Sequence, residues 1–407
     1  MNLQFSFRRL TGAYLCSKKH NSGATYQIEK PYKLYKLKVG PESKVEITKE
    51  DALQYYHQMV FIRKMENLLA NLYKNQEMRG FCHLYAGQEA CGVGIKAAMK
   101  DNDAVITSYR CHGWTFLQGV PSYHIIAELI GRVTGVSRAR GGSMHTYTVN
   151  FFGGNGIVGA QVPLGTGVAL ALKYANTGGI CLTLYGDGAA NQGQVHESFN
   201  LAKVLDLPIV FICENNKYAM GTADFRGTGG LEFYERGSFI PGIWVDGMDV
   251  LAVREATRFA KAHIFAKKGP IVLELETYRY YGHSMSDPGT SYRTRDEVQN
   301  VRKHRDPIAK FKDKMVTLKL ATEEELKNIE KDVQKHLDED VKKARGDPVP
   351  KLEELSADIY MKPADTKIRG PNPFTFLEHK NIGKPIVHLK MKIDHLTVDR
   401  IIFAQYI

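Results

Sequence analysis

The stretch Ile180-Cys181-Leu182-Thr183-Leu184-Tyr185-Gly186-Asp187-Gly188-Ala189-Ala190-Asn191 decides how this sequence folds. Residues 180–185 are a short apolar run that reads as a buried strand, and it stops on an aspartate held between two glycines. A helical run follows over 195–205, then a second strand over 207–213 that leads into Glu214-Asn215-Asn216. Between Gly188 and Asn215 lie 26 residues. With the two strands adjacent and parallel, Asp187 and Asn216 stand at neighbouring carboxyl ends, where such sheets bind ligands. A carboxylate, an amide oxygen and nearby backbone carbonyls suit a hard cation such as Mg²⁺. Gly186 and Gly188 let backbone approach a diphosphate closely. An isolated Gly-Asp-Gly is a common turn; its place after a strand, with paired asparagines at this distance, turns it into a signal.

The same alternation continues on both sides. Met65, Leu68, Leu69 and Leu72 have helical spacing, residues 104–108 read as a short strand, and 125–132 and 165–174 read as helices. Val250, Val253, Ala256 and Phe259 mark another helix, and 270–276 a buried strand that feeds the polar segment 278–295. Strands alternating with helices predict an α/β fold with a mostly parallel sheet and helices on both faces. Thr322 with Glu325 forms a capping box ahead of Leu326, Ile329, Val333, Leu337 and Val341, so the C-terminal additions are helical.

The 407 residues are 43% apolar and 24% charged, which excludes disordered, collagen-like and mucin-like chains. No apolar run approaches the roughly 18 residues of a membrane span, so no membrane partner is expected. Of the net charge of +11, +4 falls in residues 1–28 and +4 in 367–407, leaving a nearly neutral body. That distribution argues against a nucleic-acid partner. Residues 1–28, basic, free of acids and dotted with Ser and Thr, have the composition of a mitochondrial transit peptide. The organisation expected is therefore a leader over 1–28, a folded body over 29–366 and a basic tail over 367–407. Six cysteines without a Cys-x-x-Cys pair speak for free thiols in a reducing compartment.

Gly154-Asn-Gly156-Ile-Val-Gly159 also matches the Gly-x-Gly-x-x-Gly of dinucleotide folds. It follows Phe151-Phe152 instead of a convincing strand, and no acidic residue stands at ribose distance, so a nicotinamide site is not expected.

The words Gly80-Phe-Cys-His-Leu, Gly87-Gln-Glu-Ala, Arg140-Gly-Gly-Ser-Met-His, Gly153-Gly-Asn-Gly-Ile-Val-Gly-Ala-Gln-Val-Pro, Glu214-Asn-Asn-Lys-Tyr and Tyr281-Gly-His-Ser-Met-Ser-Asp-Pro-Gly resemble the alpha subunits of mitochondrial pyruvate dehydrogenases, within the thiamine diphosphate-dependent 2-oxo acid dehydrogenases. The resemblance covers about residues 24–370. It implies a thiamine diphosphate-binding fold and oxidative decarboxylation of pyruvate, with the acetyl group passed to a lipoyl group, in the mitochondrial matrix. It implies that Asp187, the Asn216 side chain and the Tyr218 carbonyl hold Mg²⁺. Tyr109, Arg110, Gly188 and Ala189 would contact the diphosphate, and Gly156 and Val158 would line the thiamine site. His83 and His283 would be the active-centre histidines, with His283 also facing the cofactor. The glutamate that activates thiamine would come from a beta subunit, so the chain is expected to work only in an α₂β₂ tetramer that serves a lipoyl acetyltransferase component. Ser284 and Ser291 would be substrates of pyruvate dehydrogenase kinase and its opposing phosphatase.

Two departures stand out. Ala223 occupies a position where the family often carries a third phosphorylated serine, and Ala219 one where glycine is usual, so its methyl group is expected to crowd the diphosphate loop. The rival readings are a branched-chain 2-oxo acid dehydrogenase alpha subunit and a paralogue that assembles without turnover. Asn191-Gln-Gly and Tyr281-Gly-His-Ser-Met-Ser favour the pyruvate enzyme, and the complete set Asp187, Asn216, His83 and His283 argues against the second rival.

Overall fold

A computed structural model describes residues 23–359, 367–369, 372 and 374–378. Strands β1 (Gly23–Gln27), β2 (Lys33–Tyr35) and β3 (Lys44–Thr48) lead into the long helix α1 (Lys49–Lys74), which starts where Thr48 accepts the Asp51 amide. Next come α2 (Glu89–Ala98), β4 (Ala104–Ile106), α3 (His112–Leu117), α4 (Ser122–Leu129), α5 (Gln161–Tyr174), β5 (Cys181–Gly186), α6 (Gly193–Val204) and β6 (Ile209–Asn215). The hairpin β7 (Tyr218–Ala219) and β8 (Thr222–Ala223) is followed by β9 (Gly242–Asp246), α7 (Val250–Phe265) and β10 (Ile271–Glu276). Helices α8 (Arg295–Arg305), α9 (Pro307–Thr317) and α10 (Glu323–Gly346) close the body.

The main sheet has the order β2-β9-β10-β6-β5-β4, parallel throughout except for the edge strand β2. Every residue of β6 is buried, because both faces are covered. Leu182, Leu184, Val210 and Ile212 join a core with residues of α1, α2 and α7, whereas Cys181, Tyr185, Phe211 and Cys213 join a second with residues of α5 and α6. That is why these strands read as continuous apolar runs and not as alternation. Close approach of α5 to the sheet requires Gly165, where a Cβ would lie 2.1 Å from Thr183 Oγ1. The expected α/β architecture is the observed one.

The helix expected over 165–174 starts earlier, at Gln161, and the strand expected over 207–213 is Ile209–Asn215; two further boundaries differ for local reasons. The helix expected over 125–132 is Ser122–Leu129, since Pro121 stands at its start and Gly131, at φ 73°, ends it. The strand expected over 104–108 stops at Ile106, because Ser108-Tyr109-Arg110 turn away toward the site. Helix α10 carries the expected capping box and lays Leu326, Val333, Leu337 and Val341 into the core. Tyr56 on α1 donates to Glu330 (2.6 Å) and so fixes its register.

Residues 23–28, which composition groups with the leader, form β1 and its exit; β1 pairs antiparallel with β3, and Tyr26 and Ile28 enter the core. The rest of the expected transit segment, 1–22, lies outside the described residues. Of the expected tail over 367–407, Lys367–Arg369 and Phe376–Glu378 form a two-stranded antiparallel ribbon, and most of the remainder lies outside the described residues. Among the described residues no helix is long and apolar enough to cross a membrane. Cys82, Cys91, Cys111, Cys181 and Cys213 are free and buried.

Candidate active site

Strands β5 and β6 run side by side with Gly186 opposite Glu214, which brings Asp187 and Asn216 to one place at the carboxyl edge. The Asp187 side chain faces the backbone amides of Asn216 and of Asp187 itself, and the residue is only 3% exposed. Burial outweighs these amides and pushes the carboxyl up to about 6. The Asn216 amide donates through Nδ2 to Gln88 Oε1 (3.1 Å), which leaves Oδ1 buried with no partner. A desolvated carboxylate beside an orphaned amide oxygen is costly unless something positive binds both. The donor set fits a hard cation; among the described residues no cluster of three or more His, Cys, Asp or Glu offers a softer site.

The hairpin β7–β8 lies over this edge, entered through Lys217 at φ 74° and turned through Met220 at φ 56°. The carbonyls of Tyr218 and Met220 each accept a hydrogen bond from the buried Arg279 guanidinium (both 3.1 Å). A Cβ on Gly188 would come within 2.5 Å of the Ala219 Cβ. The methyl at 219 is thus accommodated against Gly188, and it is this packing that requires glycine at 188. Ala189 is buried in the single 3-10 turn that opens the way to α6.

The second group of candidate residues is a cluster of three rings. The His83 ring lies 4.4 Å from that of Tyr109 and 5.3 Å, edge-on, from that of His283, and Tyr109 and His283 are 5.5 Å apart. Arg110 ties the cluster together by donating to the Leu84 carbonyl (2.8 Å) and the His283 carbonyl (3.0 Å). Burial, then the Arg110 charge, pushes His83 down to about 2 and His283 down to about 4, so both imidazoles are neutral at pH 7. Each has a buried Nδ1 with no protein partner. A pair of neutral, unpartnered imidazoles can accept or return a proton at a bound ligand.

The Gly-rich segment joins the two halves. A Cβ on Gly154 would meet Met144 O at 2.4 Å and Ser108 O at 2.8 Å, so this backbone packs directly against the Tyr109 loop. Gly156 faces His145 and Met144, and the Val158 carbonyl accepts from Gln194 of α6 (3.2 Å). The Ile157 and Val158 side chains are exposed.

The segment beyond β10 is pinned at several points. The His283 amide donates to Asp287 (2.6 Å), Tyr292 donates to the same carboxylate (2.5 Å), and Arg279 donates to the Tyr292 hydroxyl (2.9 Å). Arg293 donates to the carbonyls of Arg279 and Tyr281, and the Met285 amide to the Cys82 carbonyl (2.8 Å). Ser284 is buried, 8% exposed, with its hydroxyl 2.8 Å from that of Ser286, whereas Ser291 is exposed.

The sequence reading passed over three residues. Arg279 links the Tyr218 hairpin to the Ser284 loop, and a buried arginine just past a strand end was the available signal. Gln88 lies inside a quoted word, but only the fold shows that it orients Asn216. Glu214, which accepts from the Tyr85 hydroxyl and is pushed up to about 7 by burial, looked like part of the strand exit.

The family described as dehydrogenase E1 component matches residues 57–353. A probable pyruvate dehydrogenase E1 component subunit alpha, mitochondrial, from Caenorhabditis elegans is 60% identical over 84% of this chain and 86% of its own length. The type II mitochondrial alpha subunit of Ascaris suum is 58% identical over 83% and 86%, and the human somatic mitochondrial alpha subunit 52% identical over 88% and 92%. Similarity of this extent covers the strand ends, the ring cluster and the loop beyond β10 together, and the chain belongs to the dehydrogenase E1 component family.

Proposed function

We propose that this chain is the alpha subunit of a pyruvate dehydrogenase E1 component and that it acts in the mitochondrial matrix with thiamine diphosphate and Mg²⁺. The observation that carries the reading is the buried Asp187 carboxyl beside the unpartnered Asn216 Oδ1, together with the neutral, unpartnered pair His83 and His283 in the same chain. Bound thiamine diphosphate supplies the electron sink that loss of carbon dioxide from a 2-oxo acid needs. Asp187, Asn216 Oδ1 and the Tyr218 carbonyl hold Mg²⁺, and Gln88 keeps the Asn216 amide in the ligating orientation. Arg110 has further N–H groups beyond those on Leu84 and His283, and with Tyr109 and the backbone of Gly188 and Ala189 it binds the diphosphate. Gly156 and Val158 line the ring-binding part.

His83 and His283 position the 2-oxo acid and hold or return a proton at their free ring nitrogens. His283 then faces the incoming lipoyl group of the acetyltransferase component. The beta subunit contributes the remaining carboxylate and completes an α₂β₂ tetramer. The import leader expected over 1–28 stops short of β1, because residues 23–28 belong to the fold. Kinase and phosphatase act on Ser284 and Ser291. Phosphate adds about −1.5 to −2 charges next to His283, and a buried hydroxyl gains that group only when the loop leaves its pins.

Co-expression with a pyruvate dehydrogenase beta subunit tests this reading, with decarboxylation of pyruvate compared with 3-methyl-2-oxobutanoate. Pyruvate turnover that disappears in Asp187→Ala is the expected result. Preference for the branched acid moves the chain to the sister enzyme, and a stable tetramer without turnover on either acid makes it a non-catalytic paralogue.

A further inference from the structure

Besides the loop with His283, three segments shape the ring side of the site: 82–85 with His83, 108–112 with Tyr109 and Arg110, and 140–146, against which Gly154 and Gly156 pack. One buried group of side chains reaches all three. Glu66, in the middle of α1, accepts the Tyr85 amide through Oε1 (2.9 Å), and its Oε2 lies 2.9 Å from His112 Nδ1. His112 Nε2 lies 2.9 Å from the Ser143 hydroxyl. Glu66 and His112 are fully buried and Ser143 nearly so. None of the three takes part in the site as described above.

A carboxylate only accepts hydrogen bonds, so the Nδ1 proton of His112 is donated to Glu66, and Nε2 pairs with the Ser143 hydroxyl. Both bonds to the carboxylate are then donated to it. Arg110 closes it into a ring, because it lies two residues from His112 and donates to Leu84, next to Tyr85. Cys111 Sγ adds a contact to the Ser143 carbonyl (3.4 Å) and Thr146 Oγ1 (3.5 Å). A charged side chain in a core helix is expensive unless each oxygen is satisfied, and here both are spent on segments that hold site residues.

We propose that Glu66, His112 and Ser143 are positioning residues that set the spacing of His83, Arg110 and the 140–156 loop, and that they thereby fix the affinity of the site for a thiamine-type diphosphate. The inference rests on the cofactor reading given above. None of the three touches the ligand; each acts through backbone that does.

The test measures thiamine diphosphate binding with Mg²⁺ by quenching of intrinsic fluorescence in the complex with the beta subunit, with assembly and cofactor-free Tm followed on the same samples. Ser143→Ala removes one hydroxyl and is expected to weaken binding about 10-fold, the scale on which groups behind direct ligands act, at unchanged assembly and Tm. Ser143→Thr restores the hydroxyl and the affinity. His112→Gln, which breaks the chain at its centre, weakens binding at least as much. Unchanged affinity in Ser143→Ala overturns the proposal, as does a loss that follows a fall in Tm and is not rescued by threonine. In either case binding by the parent complex leaves the cofactor reading standing; a parent complex that binds no thiamine diphosphate overturns both.

Discussion

Tyr292→Phe isolates a single oxygen that pins the loop beyond β10. Its hydroxyl accepts from Arg279 Nη2 at 2.9 Å and donates to Asp287 Oδ2 at 2.5 Å. Hydrogen bonds to charged groups contribute about 1.5–3 kcal/mol each. The substitution orphans neither charge: Arg279 Nη2 still donates to Met220 O and Asp287 Oδ2 still accepts the His283 amide. Asp287 is also partly exposed, so water replaces part of what is lost. The net cost is therefore about 2 kcal/mol, below the roughly 3–6 kcal/mol that two such bonds lost outright would give, and it falls on opening of the loop rather than on the sheet. With each 1.4 kcal/mol worth a factor of ten, the open form becomes roughly 30-fold more populated. Arg293, which grips the Arg279 and Tyr281 carbonyls, keeps the closed form in the majority. Hydrogen exchange followed by mass spectrometry on the assembled protein reads this directly. The amides of His283 and Gly289, both donated to Asp287, exchange roughly 30-fold faster by the same arithmetic, while those of β6 keep their protection. Unchanged exchange at His283 and Gly289 refutes the reasoning, and so does an equal acceleration in β6.

Asp187→Asn stabilises the cofactor-free protein above pH 6. The carboxyl is held at about 6, above its ordinary value, so the folded state binds the proton more tightly. Charge on Asp187 costs nothing in acid; the cost sets in near pH 4, where the unfolded carboxyl ionises, and levels off above pH 6 at about 3 kcal/mol. A higher Tm for the variant at pH 7.5 than for the parent, a gap that closes by pH 4, is the expected calorimetric result; Mg²⁺ binding is lost. For His283, pushed down to about 4, a histidine limb in the pH dependence of kcat/KM belongs near pH 4. A limb between pH 6 and 7 that vanishes in His283→Asn contradicts that assignment. Gly165→Ala places a methyl 2.1 Å from Thr183 Oγ1 and costs about 1–3 kcal/mol as α5 is pushed off the sheet, measured as a drop in the urea midpoint. Thr322→Ala removes one half of the α10 capping box and costs about 1 kcal/mol by the same measurement.

Much of the fold was legible because its signals are local. Residues 180–185, Thr183 aside, and 207–213 are apolar since both faces of β5 and β6 are covered, and the capping box of α10 needs only Thr322 and Glu325 at the right spacing. Element ends were less legible. Pro121 and Gly131 bound α4 by backbone geometry that an apolar pattern does not report, and β1 lies in a stretch whose basic composition pointed elsewhere.

By itself the sequence determined the chemistry available at the site: which carboxylate, amide and imidazoles exist, and that a parallel sheet presents Asp187 and Asn216 at neighbouring strand ends. Only the tertiary structure decided what each of them experiences. Asp187 is raised because it is buried, Asn216 Oδ1 is free because Gln88, 128 positions away, takes the other end of the amide, and His83 stays neutral because it is buried beside Arg110. Desolvation and hydrogen-bond competition depend on which groups pack together across the chain, and that is information no local stretch of sequence contains.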